Sequence, residues 1–357
     1  MTKVALLGGD SQVGAEVALY LSLKKETNLI CFVRSEYSTA LLDAMSVPYL
    51  IVDYRNTKLL KEAFADCDIA LDFTYPAAQP PDVWRIARDN ILAVLSSMRK
   101  GSKYVYMSSI MAFGMPNHVS SPKVFVFPRT FYSHTKRKLE RSVESLGRKF
   151  GIHAFIFRLG QVHGLLQSVT QGFISALSGD ILYVKGKPTD LTNTAFPSFL
   201  VEIVMKCARN DLKPGVYTLV QTPQWTLEEL FDYYRRRYGV QAKVVPLSSE
   251  DERNTLQQHH NPHFWSGWMA YRDMFEAYLF PHLPDFFPLA KGLYRVKRVS
   301  QELSFIPHAQ KRIERPLLGQ PPGKLVTGIP ISSLDDIIRS EQQMEKLLVE
   351  TLERRKR

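Results

Sequence analysis

A tyrosine and a lysine four residues apart, preceded by a serine, form the strongest candidate for chemistry in this sequence. Tyr132 and Lys136 open a helix-like segment, and Ser109 ends a strand-like apolar run 23 residues before Tyr132. Residues at i and i+4 share one face of a helix, so the Lys136 ammonium is expected beside the Tyr132 phenol. A nearby cation is predicted to lower the pKa of Tyr132, which is about 10 in a free tyrosine. This arrangement predicts a group that gives and takes a proton near neutral pH.

A glycine-rich segment follows the first apolar run of the chain. The run Val4–Leu7 leads into it, and a helix-like segment, Ala15–Leu23, follows. A glycine turn between a strand and a helix allows backbone amides and the helix N-terminus to meet a pyrophosphate. Its position at the first strand-to-helix junction predicts a dinucleotide site. The candidate ligands are Gly8, Asp10, Ser11, Gln12, Val13 and Gly14.

The ends of the next two strand-like runs carry residues suited to the adenosine half of a dinucleotide. Arg34 and Ser35 follow the second run, where a carboxylate is expected if the ribose diol of NAD is bound. The Arg34 guanidinium suits a 2′-phosphate instead, so NADP is the predicted cofactor and NAD the alternative. Asp53 and Tyr54 close the third run, a position from which a carboxylate can meet the adenine amino group.

Strands that alternate with helices must position these candidates. Repeated βαβ units form a parallel sheet with helices on both faces, wound right-handedly, and bind ligands at the carboxyl ends of the strands. The predicted fold is therefore α/β, a Rossmann-type doubly wound parallel sheet. Its strands are predicted at Val4–Leu7, Asn28–Val33, Pro48–Val52, Ile69–Phe73, Tyr104–Met107 and His153–Arg158.

The alternation weakens after about residue 160, which predicts a smaller C-terminal substrate-binding lobe. We expect the NAD(P)-binding core over residues 1–165 and the lobe, interleaved with the last core elements, over 166–315. A Pro/Gly connector and an amphipathic helix are expected over 316–357. Residues 260–294 are dense in aromatic residues and fit either a satellite core under a loop or a substrate-covering lid. The apolar stripe of the final helix, from Ser333 onward, must pack on its own body or on a second copy in a homodimer.

Composition limits the class of protein. The 357 residues are 45% hydrophobic and 23% charged with a net charge of +11, which is typical of a globular protein rather than a disordered or coiled-coil one. The densest basic run is Arg354–Arg357, at the end of the chain, so nucleic-acid binding is not predicted, and the charge suits an anionic small-molecule substrate. Three scattered cysteines predict neither disulfides nor a zinc site. No metal site, membrane span or export signal is predicted, and a cytoplasmic protein is expected.

The motifs together resemble those of extended short-chain dehydrogenases/reductases, the NAD(P)-dependent epimerases and dehydratases among them. The glycine segment is similar to the Gly-x-x-Gly-x-x-Gly turn of that family, with Ser11 replacing the middle glycine. Ser108–Gly114 resembles the Ser-Ser-x-x-x-(aromatic)-Gly strand end, and Tyr132–Lys136 resembles the Tyr-x-x-x-Lys segment. Phe157–Gly164 is similar to the Arg-x-x-x-x-Tyr-Gly segment, with His163 where tyrosine is usual.

The resemblance covers about residues 3–245 and implies a mechanism. Ser109 would hydrogen-bond the substrate carbonyl, Tyr132 would exchange its proton, and Lys136 would lower the Tyr132 pKa while holding the nicotinamide ribose. Hydride would pass between the nicotinamide and the carbonyl carbon. The resemblance also implies cofactor contacts for Phe73, Thr74, Gln161 and His163.

The reaction within the family is predicted from the neighbours of these residues. The dehydratases that the chain resembles place an acidic pair after the catalytic hydroxyl, whereas Ile110 and Met111 follow Ser109. Because Arg34 favours NADP, the cofactor of net reduction, the preferred interpretation is an NADPH-dependent oxidoreductase that reduces a carbonyl group of a small molecule, with Tyr132 as general acid. The alternatives are a nucleotide-sugar epimerase that uses NAD(P) as a transient hydride carrier and a dinucleotide-sensing regulator without turnover.

Overall fold

The computed structural model describes residues 1–36, 39–76, 82–112, 131–184, 187–246, 312–313 and 333–356. Its strands are β1 (Thr2–Leu7), β2 (Thr27–Val33), β3 (Tyr49–Ile51), β4 (Ile69–Asp72), β5 (Lys103–Ser109), β6 (His153–Leu159), β7 (Gln161–Val162), β8 (Ile181–Val184), β9 (Thr194–Ala195), β10 (Gly215–Leu219), β11 (Lys243–Pro246) and β12 (Arg312–Ile313). Its helices are α1 (Gln12–Ser22), α2 (Ala40–Ala44), α3 (Thr57–Phe64), α4 (Asp82–Ser97), α5 (Phe131–Phe150), α6 (Ser168–Leu177), α7 (Pro197–Ala208), α8 (Leu227–Tyr238) and α9 (Leu334–Lys356).

Seven parallel strands form the central sheet, in the order β10-β6-β5-β4-β1-β2-β3. The chain adds β2 and β3 on one side of β1, and β4, β5 and β6 on the other. Open α/β sheets bind ligands at such a reversal, outside the carboxyl ends of the strands. The glycine segment follows β1 and Ser109 ends β5, with the end of β4 between them. The predicted Rossmann-type doubly wound sheet is confirmed.

Apolar side chains cover both faces of this sheet. Helices α1 and α7 pack on one face through residues such as Val17 and Ile203. Helices α3, α4 and α5 pack on the other through residues such as Leu95 and Leu139. Helix α1 is apolar around most of its circumference and contacts β1, β2 and α7, which explains why its residues from Gly14 to Leu21 are all buried.

A second, smaller group of elements follows the main strands. Strand β8 pairs in parallel with β11 and β12, and β7 pairs with β9. Aromatic rings form much of the core here, among them Phe173, Trp225 and Tyr234. Strand β10 comes from the same part of the chain and completes the central sheet. The boundaries at residues 165 and 315 stay a prediction.

Helix α9 packs on the body of its own chain. Ile337 and Ile338 are buried in the core of the smaller lobe, and Met344 is buried in the core under the main sheet. Of the two arrangements that the apolar stripe allows, this structure shows the first, and a homodimer stays a prediction. The aromatic-rich residues 260–294 and the Pro/Gly connector lie outside the described residues. No helix in the described ranges has the length and apolar character needed to cross a membrane.

Candidate active site

Ser109, Tyr132 and Lys136 meet at the carboxyl edge of the sheet. Ser109 ends β5, and Tyr132 and Lys136 lie in the first turns of α5, which packs against β5. The Ser109 hydroxyl hydrogen-bonds with the Tyr132 phenol, and its oxygen accepts the amide proton of Met111 at 3.2 Å. Tyr132 is 39% exposed. A serine therefore orients one accessible phenol at the edge where a ligand is expected.

Lys136 lies beneath this phenol in a pocket of aromatic rings. Its Nζ donates a hydrogen bond to the Met107 carbonyl at 2.8 Å. The same atom lies 4.8 Å from the ring centre of Tyr106 and 5.3 Å from that of Tyr75, distances at which a cation is attracted to a ring face. Burial lowers the pKa of Lys136 to about 8, although the Asp72 and then the Glu140 carboxylates act in the opposite direction.

The pKa of Tyr132 differs from the sequence-based prediction. Burial raises it, and the hydrogen bond from Ser109 opposes this rise without overcoming it. The physical reason is that the Lys136 ammonium is directed at the Met107 carbonyl and lies 5.9 Å from the centre of the Tyr132 ring. The prediction of a lowered pKa is wrong for this structure, in which Tyr132 is a protonated phenol at neutral pH.

The turn after β1 folds tightly against the end of β4. Gly8 has a φ of +76°, in the left-handed region that favours glycine. A Cβ atom on Gly14 would overlap the Gly8 carbonyl oxygen, and one on Gly8 would lie 3.2 Å from the Phe73 carbonyl carbon. Both positions therefore require glycine, and the backbone of residues 73 and 74 forms one wall of the turn.

Ser11 caps helix α1 instead of pointing outward. Its hydroxyl donates to the Gly8 carbonyl at 2.7 Å and accepts the Gly14 amide proton at 3.1 Å. Among the described residues, no acceptor bonds to the amides of Gln12 and Val13, so two donors remain at this helix N-terminus. Two such amides suit the pyrophosphate of a dinucleotide, so the turn fits the predicted cofactor. Asp10 is exposed beside them.

The residues predicted for the adenosine half lie at the ends of β2 and β3. Arg34 is exposed and Ser35 is half-buried. The Arg55 guanidinium donates to both oxygens of Asp53, between 2.7 and 3.0 Å, and holds the pKa of that carboxyl at about 2. Tyr54 packs half-buried against the core. Asp53 must therefore share its carboxylate between Arg55 and any adenine amino group.

The geometry of the site agrees with a family match over the same part of the chain. The family model described as the NAD dependent epimerase/dehydratase family matches residues 4–194, more than half of the chain. This chain belongs to that family. It is therefore an enzyme of the short-chain dehydrogenase/reductase type, as the Ser109, Tyr132 and Lys136 arrangement predicts.

Solved structures with the same fold include several epimerases. UDP-glucuronic acid 4-epimerase from Bacillus cereus, in complex with UDP-glucuronic acid and NAD, is 15% identical over 70% of this chain and 87% of its own, with a TM-score of 0.54. UDP-N-acetylglucosamine 4-epimerase from the same organism is 16% identical over the same shares, with a TM-score of 0.56. At these identities the likeness shows the fold alone. A comparison with curated protein sequences finds no match.

The segment that resembles the Arg-x-x-x-x-Tyr-Gly motif of the family is only partly at the cleft. Gln161 is half-buried in β7, where its backbone amide donates to the backbone carbonyl of Asn193 at 2.7 Å. His163 is fully buried, with Nδ1 2.6 Å from the Tyr234 hydroxyl and its ring among Phe173 and Phe196. The resemblance implies that the His163 side chain contacts a cofactor. In this structure that side chain packs inside the lobe instead, which corrects the implied contact.

Sequence reasoning missed a buried carboxylate at the end of β4. Asp72 accepts hydrogen bonds from the Tyr104 hydroxyl, from the Thr74 amide at 2.8 Å and from the Thr74 hydroxyl at 2.6 Å. The side chain of Thr74, a predicted cofactor contact, is thus directed at Asp72, while Phe73 is half-buried. An acidic residue at the end of the otherwise apolar strand Ile69–Asp72 is the signal that the sequence offered.

A second buried carboxylate lies on α5, one turn beyond Lys136. Glu140 accepts hydrogen bonds from the Ser108 hydroxyl at 2.6 Å and from the Arg158 guanidinium at 2.9 and 2.7 Å. This group joins the ends of β5 and β6 to α5. It therefore fixes the helix that carries Tyr132 relative to the strand that carries Ser109.

Proposed function

We propose that this enzyme acts on a nucleotide-linked sugar, whose secondary alcohol it oxidises transiently by hydride transfer and then reduces again. The single observation that carries the proposal is the meeting of Ser109, Tyr132 and Lys136 beside the glycine turn at the carboxyl edge. Membership of the epimerase/dehydratase family supports this reaction class, and two similar folds belong to epimerases of UDP-sugars. The net charge of +11 suits an anionic substrate of this kind.

A dinucleotide fits the described residues. The amides of Gln12 and Val13 would hold its pyrophosphate, Arg34 and Ser35 would lie at the adenosine ribose, and Lys136 would hold the nicotinamide ribose. When bound, the nicotinamide supplies the acceptor and donor of hydride. Membership of the family supports NAD as the cofactor, whereas the Arg34 guanidinium supports NADP.

The side chains at the edge divide the proton chemistry between them. Oxidation of the alcohol requires its O–H proton to pass to the Tyr132 phenolate oxygen, and reduction returns that proton from the phenol to the carbonyl oxygen. Ser109 orients the phenol and donates to the substrate oxygen. The raised pKa of Tyr132 keeps the proton in place for the reduction half, and the Ser109 hydroxyl, which opposes that rise, would stabilise the phenolate required for the oxidation half.

A second candidate is an NADPH-dependent reductase of a small carbonyl compound. Arg34 at the end of β2 favours this reaction because its guanidinium suits the 2′-phosphate of NADPH. The protonated state of Tyr132 favours it too, since net reduction needs a proton donor in every turnover.

Cofactor titration followed by a redox-balance assay separates the two candidates. Purified protein is titrated with NAD(H) and NADP(H) by nicotinamide fluorescence, with Arg34→Ala and the matched exposed arginine variant Arg99→Ala. Arg99 pairs with Asp68 before β4 and so lies at the opposite edge of the sheet. UDP-glucose and UDP-glucuronic acid are then supplied with bound cofactor, and a panel of aldehydes and ketones with NADPH.

An epimerase converts the UDP-sugar with no net change in reduced nicotinamide absorbance, whereas the reductase consumes NADPH in proportion to product. Tyr132→Phe is expected to lower either turnover by about 10²–10⁴-fold while cofactor binding persists, because it removes the hydroxyl that exchanges the proton and leaves the ring in place. NADPH consumption without UDP-sugar conversion would transfer the proposal to the reductase. Retained turnover in Tyr132→Phe would contradict both candidates.

A further inference from the structure

The Lys136 ammonium is a buried charge whose direct hydrogen-bond acceptor is neutral. Lys136 is 5% exposed and donates to the Met107 carbonyl. The groups that face it are the phenols of Tyr75, Tyr106 and Tyr132 and two carboxylates. A buried ammonium is stable only if a negative charge compensates it, because desolvation otherwise favours the neutral amine.

The two nearby carboxylates differ in what already balances them. Glu140 receives two hydrogen bonds from the Arg158 guanidinium, so a cation in direct contact matches its charge. Asp72 receives its described hydrogen bonds from the Tyr104 hydroxyl and from the amide and hydroxyl of Thr74, which are all neutral donors. Asp72 is 3% exposed. It is therefore the carboxylate whose negative charge is left to compensate Lys136.

The sheet register places Asp72 beside the ring that carries the ammonium. Asp72 pairs with Tyr106 across β4 and β5, and paired residues of parallel strands point to the same face. That face is the one covered by α5, where Tyr104 binds Asp72 and the Tyr106 ring centre lies 4.8 Å from Nζ of Lys136. The carboxylate and the ammonium thus occupy the same side of neighbouring strands.

We propose that Asp72 is the counter-charge of Lys136, a positioning residue that keeps the lysine charged beneath Tyr132. The assignment of a catalytic purpose to this pair rests on the proposed function, but the pairing itself does not. Asp72 also fixes Thr74 through two hydrogen bonds, so one carboxylate orders the residues after β4 and stabilises the lysine charge. The opposing effects of burial and of Asp72 on the pKa of Lys136 agree with this role.

The test reads the charge of Lys136 directly. Protein with ¹³C-labelled lysine is titrated by two-dimensional NMR, and Lys136→Met identifies the Lys136 resonance. Asp72→Asn keeps the shape of the side chain and removes its charge, so the pKa of Lys136 is expected to fall by about one unit. Tyr104→Phe is the matched control, because it removes a hydrogen bond to Asp72 but leaves the carboxylate, and it should not lower the lysine pKa.

An unchanged lysine pKa in Asp72→Asn, or an equal fall in Tyr104→Phe, would overturn the proposal. If Asp72→Asn does not fold, the double variant Thr74→Val with Tyr104→Phe withdraws two donors from the same carboxylate. The lysine pKa should then rise, and its failure to rise would overturn the proposal as well. The titration needs neither cofactor nor substrate, so its outcome is independent of whether the enzyme is an epimerase or a reductase.

In an active enzyme, the same variant has a kinetic signature. Asp72→Asn should move the pH dependence of kcat to lower pH by the shift that NMR records for Lys136, while Tyr104→Phe should not move the profile to lower pH. A loss of kcat at all pH values with no displacement of the profile would assign Asp72 to structural support only and overturn the positioning role.

Discussion

Ser11 uses its hydroxyl for the turn that it belongs to. It bonds the carbonyl of Gly8 and the amide of Gly14, and so occupies one of the donors that a helix N-terminus offers to an anion. Glycine at this position would leave the Gly14 amide available. The serine therefore exchanges part of the phosphate-binding capacity of the turn for a helix cap.

Ser11→Gly is expected to tighten dinucleotide binding at a small cost in stability. Replacement of the serine cap by glycine costs roughly a few tenths of a kcal/mol of stability. The freed Gly14 amide gives the pyrophosphate a third donor. Affinity is measured by nicotinamide fluorescence and stability by urea unfolding. The control is Asn56→Gly, which removes a similar cap from α3, where the Asn56 side chain accepts the Leu59 amide proton. This variant should change stability alone. Equal or weaker cofactor binding in Ser11→Gly would contradict this account.

At the same scale, the sequence allowed the meeting of Ser109, Tyr132 and Lys136 to be predicted, but not their ionisation. Residue types and the i, i+4 spacing are local, so they identify which groups share a helix face. The pKa of Tyr132 depends instead on burial and on where the Lys136 nitrogen points. Asp72 was missed for the same reason, since only the pairing of β4 with β5 brings it to the lysine.

Among the elements, α9 is attached to the body by a buried polar cluster as well as by apolar packing. Glu341 is 1% exposed, accepts the Tyr233 hydroxyl proton at 2.5 Å and lies 3.4 Å from Nε of Arg237. Burial raises the pKa of Glu341 to about 7, and the Glu16 carboxylate of α1 acts in the same direction. Docking of α9 therefore favours a protonated Glu341.

This elevated pKa predicts that stability falls as pH rises from about 4.5 to about 7. In that window the folded protein retains a proton that the unfolded chain has already lost, and the effect reaches about 3 kcal/mol for this group. Urea unfolding at several pH values measures it. Glu341→Gln should reduce this slope without abolishing it. Part of the pH dependence should remain because burial also raises the pKa of Glu16. Glu345→Gln, an exposed partner of Arg237, should keep the full slope. A wild-type slope in Glu341→Gln would disprove the assignment.

The periodicity of each element was visible in the sequence, whereas its packing partner was not. Helix α9 shows why, because an apolar stripe has the same pattern whether it covers its own chain or a second one. The strand predicted over Pro48–Val52 is shorter in the structure, as β3 covers only Tyr49–Ile51 at the edge of the sheet. Edge strands lose one line of pairing partners, so their ends are less defined by the pattern of residues.

For the whole molecule, contacts between distant parts of the chain join the lobe to the cofactor turn. The fully buried Glu16, two residues after Gly14, accepts the amide protons of Leu165 and Leu166 at 2.9 and 3.1 Å. Gln167 adds a hydrogen bond to the same carboxylate at 2.8 Å. The βα alternation predicted the central sheet, but nothing local in the sequence predicts a contact between residues 149 positions apart.

The attachment of α9 also has a consequence for the covalent chain. Strand β12 ends at Ile313 and α9 begins at Leu334, and the described parts on both sides belong to one packed body. A single peptide-bond cleavage between Ile313 and Ser333 removes none of the buried contacts of Ile337, Glu341 and Met344. With a specific protease site inserted there, the cut protein should elute from gel filtration as one particle that separates only in denaturant. Release of the α9 fragment without denaturant would contradict this. A cut protein that stays together would show that the last helix behaves as a tightly bound subunit, although it is encoded in the same polypeptide.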